Sequence, residues 1–185
     1  LKMFMSKGIK GTLAAFSYPD VAEATNILLT GWYDSIPDST HLLFIDSDMG
    51  FSPDVVNDLL IFDEPLVGAL YTRKCIPVQW AASGMGDKFA ESRGDFMKVA
   101  GLGMGCFLIR RDAVTTMIEK MPELIDTNME YHTAKEMIPN RIIRAFDGMD
   151  NPKEGGRLSE DLAFCCRWRQ CGGDVWASIG HTIEH

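Results

Sequence analysis

Asp46 and Asp48 stand one residue apart at the end of an apolar run, Leu42-Leu43-Phe44-Ile45, and two carboxylates so placed repel each other unless a cation lies between them. Hard oxygen donors favour Mg²⁺ or Mn²⁺, commonly shared with substrate phosphates. A second acidic pair, Glu160-Asp161, follows Ser159 at the start of a helical pattern, where a carboxylate can take a proton from an attacking hydroxyl. Each pair also has a plainer explanation. Asp and Ser are ordinary turn residues, and acids in a first helical turn suit the helix dipole. Arg73 and Lys74 can neutralise phosphate or simply be solvated in a turn. His181 and His185 are lone histidines that become ligand candidates only by converging on Asp48, and Trp80 and Trp176 can face a sugar or pack in the core.

The elements that must position these groups follow from the apolar pattern. The unbroken apolar run at 42–45 predicts a buried strand of a parallel sheet over 42–46, with its carboxylates at the C-terminal edge where open α/β sheets bind ligands. Asp20 predicts the cap of a helix from Val21 to about Tyr33, and Ser52-Pro53 opens another whose stripe is Val55, Val56, Leu59 and Leu60. Strands are expected over 11–17, 65–70, 96–99, 106–109, 174–177 and 182–185, with helices from Asp112 to about Met121 and over 162–170. Residues 121–156 read as a long loop region with a short strand near 142–146, the kind of segment that covers or forms a site. Strand and helix alternate in the first half, predicting a parallel three-layer arrangement; the glycine-rich second half adds antiparallel or mixed pairing.

With 185 residues, 46% apolar and 24% charged, the chain has the composition of one globular domain. A net charge of -8 and a pI near 4.9 argue against nucleic acid or anionic lipid as the main partner. Five cysteines without a CxxC pair predict reduced thiols in a cytoplasmic setting, and no apolar run reaches the roughly 20 residues that span a bilayer. Leu1 and the stop after a strand-like run at His185 give the expectation of a domain truncated at both ends.

In this order, the pieces resemble the GT-A fold glycosyltransferases, especially small viral and bacterial ones. His41 to Phe51 (HLLFIDSDMGF) is similar to their metal-binding strand, and Val67 to Lys74 (VGALYTRK) to the strand and basic turn that follow. Met104 to Val114 (MGCFLIRRDAV) resembles their central glycine strand and helix, and Leu158 to Trp176 (LSEDLAFCCRWRQCGGDVW) their acceptor-side helix and next strand. The resemblance implies one α/β domain over 1–185, a Rossmann-like GT-A three-layer α/β/α fold with a mostly parallel mixed central sheet.

It also implies roles. Asp48 ligates Mn²⁺ or Mg²⁺ on the diphosphate, Asp46 contacts the ribose or metal-bound water, and His185 completes the metal set with His181 as fallback. Asp161 is the base, Glu160 its neighbour at a sugar or acceptor hydroxyl, and Asn26 and Lys74 lie on the donor side. The implied activity is metal-dependent transfer of a sugar from a UDP- or GDP-sugar to a hydroxyl of a glycan, lipid-linked or protein acceptor, with inversion. Two alternatives stand beside it: a noncatalytic nucleotide-sugar-binding module of the same fold, and a phosphatase of the haloacid-dehalogenase type. The phosphatase motif has Thr or Val where this chain has Gly50, which places it third.

Overall fold

The computed structural model describes residues 8–84, 91–130, 135–138, 140–152, 155–181 and 183–184. Helix α1 (Val21–Ser35) starts where Asp20 accepts the Glu23 N–H at 2.8 Å, so the predicted cap forms. Its C-terminus is held by Arg111, whose guanidinium lies 4.3 Å from the Trp32 ring and donates to the carbonyls of Tyr33, Ile36 and Ser39. A cation there meets the negative end of the helix. Strand β1 (His41–Ile45) follows, then α2 (Asp54–Phe62), β2 (Leu66–Ala69) and the short strands β3 (Ala82–Ser83) and β4 (Ser92–Arg93). Next come β5 (Phe96–Val99), β6 (Gly101–Leu102), β7 (Cys106–Arg110) and α3 (Arg111–Lys120). Strands β8 (Ile125–Asp126), β9 (Ile142–Ile143), β10 (Met149–Asp150) and β11 (Arg157–Leu158) lead into α4 (Glu160–Gln170) and β12 (Val175–Ser178).

Six strands form the main sheet in the order β1-β7-β2-β12-β5-β4. Side chains of β7 alternate between its two faces: Phe107 and Ile109 join a core with α1, α3 and α4, while Cys106 and Leu108 join Val55 and Leu59 of α2. The three layers expected from the sequence are therefore present. The sheet is mixed, however, and among the described residues only β2 and β12 pair in parallel, so the mostly parallel expectation is corrected. Strand β1 is also an edge strand with half-buried residues, not a buried central one. An apolar run reports how much a strand is covered but not the direction of its neighbour, and the reversed strand here is β7, laid between β1 and β2.

The consequence for a site is favourable all the same. Because β7 runs against both β1 and β2, and β12 runs with β2, the C-terminal ends of β1, β2 and β12 meet at one edge beside the N-terminal end of β7. Residues 9–18 form no strand, against expectation; Phe16 packs instead against the cluster of Ile27, Met129, Ile138 and Ile142. In the 121–156 stretch the predicted short strand is β9, paired with β8. The proposed strand 182–185 reduces among the described residues to a bridge from Glu184 to Gly50.

Candidate functional site

The shared edge gathers four segments. After β1 the chain turns: the Asp46 N–H donates to Gly105 O at 3.1 Å, and the Met49 N–H to Asp46 O at 3.2 Å, which leaves the Asp46 and Asp48 side chains exposed. After β2 comes Tyr71, buried, whose hydroxyl accepts the Gly105 N–H at 3.2 Å. This close approach explains two glycines. A Cβ on Gly103 would stand 2.5 Å from the Tyr71 oxygen, and one on Gly105 would stand 2.9 Å from both the Tyr71 ring and Met49. Helix α4 lies against β6, with the Cys165 thiol directed at Leu102 O, and so brings Asp161 toward the same place.

Electrostatics tie the segments together. Burial raises the Tyr71 phenol above its ordinary pKa, opposed by the Gly105 N–H, and the negative charges of Asp46 and Asp161 raise it further. Those two carboxylates, 115 positions apart in sequence (161 minus 46), therefore act on one hydroxyl. Arg73 pulls the other way. Beyond Tyr71 the chain loops out and back, with Arg73 N–H donating to Gln79 O at 2.7 Å and Ala81 N–H to Tyr71 O at 2.8 Å. From this loop Lys74 places its ammonium 2.6 Å from Asp48 Oδ2, both side chains about half exposed.

Asp161 Oδ1 accepts from the Ser159 hydroxyl and, at 2.7 Å, from the Leu162 N–H. Ser159 thus orients the acid and makes no side-chain cap bond of its own, although it does occupy the N-cap position. Glu160 is half-buried beside it. At the far end of the chain Glu184 exchanges two backbone hydrogen bonds with Gly50, each 2.8 Å, and its Oε2 lies 3.4 Å from where a Gly50 Cβ would be. Glu184 and Tyr71 are site residues the sequence reading missed; the G-L-G-M-G run at 101–105 was the available sign that some side chain must press against this backbone.

Three sequence candidates are placed elsewhere or outside. Asn26 is fully buried, its amide N–H donating to Asp147 Oδ1 at 2.7 Å and its Oδ1 accepting the Phe146 N–H at 2.9 Å. These two bonds hold α1 against residues 146–147. His181 is engaged by Asp58 of α2, Nε2 to Oδ2 2.8 Å, and His185 lies outside the described residues. Trp176 is fully buried core, while Trp80 is half exposed.

Among the described residues, no group of three or more His, Cys, Asp and Glu is placed to hold a metal ion by protein alone. What Asp46 and Asp48 offer is the open kind of site, carboxylate oxygens on an exposed turn, and an ammonium already occupies a cation position at Asp48. Such a donor set fits Mg²⁺ or Mn²⁺ when substrate phosphates and water supply the remaining ligands. Among the described residues no helix is long and apolar enough to cross a membrane, and none of the five cysteines is paired.

No protein-family model matches the chain, and no curated protein matches it. Among solved structures, A197 from STIV is similar with a TM-score of 0.53 and 16% identity, over 98% of this chain and 75% of that one. The likeness is one of fold.

Proposed function

We propose that this chain is a metal-dependent glycosyltransferase of the GT-A kind, moving a sugar from a UDP- or GDP-sugar to an acceptor hydroxyl with inversion. The observation that supports the reading is the meeting of three segments at Gly105: its carbonyl takes the Asp46 N–H, its N–H goes to the Tyr71 hydroxyl, and helix α4, which carries Asp161 in its first turn, packs on the adjoining β6.

In this reading Asp48 and Asp46 would hold Mn²⁺ or Mg²⁺, with His185, next in sequence after Glu184, as a further ligand. Such an ion would supply Lewis-acid stabilisation of the leaving diphosphate. Lys74 and Arg73 add positive charge to the same phosphates, Lys74 by leaving Asp48 when donor arrives. Asp161 accepts the proton of the acceptor hydroxyl as its oxygen bonds to the anomeric carbon. The bond from that carbon to the β-phosphate oxygen breaks, and its electron pair leaves with the nucleoside diphosphate. Ser159 keeps the Asp161 carboxylate turned for this work, and Glu160 contacts a sugar or acceptor hydroxyl. Unpaired thiols suit a cytoplasmic setting, and the acceptor is a glycan, a lipid-linked saccharide or a protein.

The Lys74–Asp48 ion pair favours one second reading: a noncatalytic module in which Lys74 holds phosphate without a metal. A panel of UDP- and GDP-sugars incubated with Mn²⁺ and then with EDTA separates the two. Transfer or slow donor hydrolysis that stops with EDTA, and a Lys74→Ala variant that keeps metal-dependent turnover with donor KM raised about tenfold, supports the transferase. Donor binding indifferent to EDTA, lost in Lys74→Ala and without turnover, supports the module.

A further inference from the structure

A second concavity, of about 350 Å³, opens between α2 and the β4–β5 hairpin, lined by Asp58, Ile61, Phe62, Arg93, Asp95, Phe96, Ser178 and His181 among others. None of these residues has a part in the chemistry proposed at Asp48 and Asp161. The floor is aromatic: Phe62 and Phe96 stack with centroids 3.8 Å apart, and the buried Trp176 meets Phe62 edge-on. The walls are polar and carry more carboxylate than cation, with Asp95 beside Asp58 and Arg93. Asp58 faces His181 at 2.8 Å, and Arg93 spends three N–H groups on Glu64 and Glu91, at 2.5 to 3.3 Å. A guanidinium has five N–H donors and a carboxylate about four acceptor positions, so donors and acceptors remain on these walls. At the back, Ser178 is 2% exposed and its hydroxyl has no hydrogen-bond partner, a bond left to be made by a hydroxyl or water.

The surplus of carboxylates on these walls disfavours a phosphate. An apolar floor beside paired donors and acceptors matches a molecule with one C–H-rich face and many hydroxyls at its rim. We infer that this cavity is a binding site for a neutral saccharide unit, and, resting on the transferase reading above, that the saccharide is a non-reacting sugar of the acceptor. Position agrees with that assignment. The cavity adjoins β12 and β5, and three strand spacings separate β12 from β1, on the order of 14 Å at ~4.8 Å per strand. The chain leaving the cavity at Ser178 and His181 runs on to Glu184 at Gly50, two residues past Asp48. A short oligosaccharide thus reaches from the cavity to the reaction edge.

Heteronuclear NMR titration of the intact chain, with EDTA and no donor, tests this with glucose, galactose, mannose, N-acetylglucosamine and their common disaccharides, and with inorganic phosphate as control. A neutral sugar should shift the Phe62, Phe96 and Ser178 signals, and phosphate should not compete. Asp95→Ala and Ile61→Trp, both at exposed side chains, should each weaken that sugar about tenfold or more while leaving donor hydrolysis intact. No sugar binding in the panel, binding unchanged in both variants, or phosphate displacing the sugar would overturn the site. Sugar bound here in a chain that never turns over donor would leave this site standing and sink the transferase; turnover without sugar binding here would do the reverse.

Discussion

Asp161→Asn is expected to slow sugar transfer by about 10²- to 10⁴-fold while leaving donor affinity within about twofold of the natural chain. The substitution keeps the shape of the side chain and an oxygen that can accept from Ser159 and from the Leu162 N–H, so the start of α4 is preserved. What it removes is the ability to take a proton. A loss of base with the fold and the phosphate contacts intact falls on kcat, because the proton moves only as the new bond forms. Steady-state kinetics with the best donor of the panel check it: equal falls in kcat and kcat/KM match the assignment, and unchanged kcat removes Asp161 from the chemistry.

Asn26→Ala is expected to destabilise the protein by about 3 kcal/mol, a fall in Tm on the order of 10 °C, with little effect on donor affinity in the folded fraction. Deleting the amide leaves the buried Phe146 N–H without its acceptor and Asp147 without its donor. One turn later Thr30 accepts the Ile143 N–H at 2.9 Å, so the buried face of α1 fixes two points of the segment that leads toward β10 and β11. Arg167 of α4 grips that segment from the other side, donating to Ala145 O at 2.8 Å and Asp147 O at 2.6 Å. Asn26 therefore bears on Asp161 through the fold. Thermal unfolding of Asn26→Ala beside Thr30→Val measures it; a donor KM raised at unchanged stability would instead place Asn26 at the donor site.

Much of this frame was legible in residue order. Asp20 and Ser159 marked two helix starts because N-cap positions favour short polar side chains, and the period of apolar residues fixed α2, α3 and α4 to within a residue or two. Strand direction was not legible, since the reversal of β7 depends on where the sheet has space and leaves no local trace. The partners of Asn26 were not legible for a related reason: an amide inside a helix looks alike whether it meets a ligand or a backbone 120 residues away. Tyr71 was hidden because its role arises only when Gly103 and Gly105 let it approach. The acidic motifs were visible as chemistry, but their nearness to each other belongs to the tertiary fold.

The division of labour between the two acidic motifs is the central claim, and calorimetric titration of the donor with and without Mn²⁺ tests it most directly. Donor affinity is expected to be at least about tenfold tighter with Mn²⁺ in the natural chain and in Asp161→Asn, with no such gain in Asp48→Ala. Equal affinity with and without the metal, or a full Mn²⁺ effect in Asp48→Ala, would contradict it.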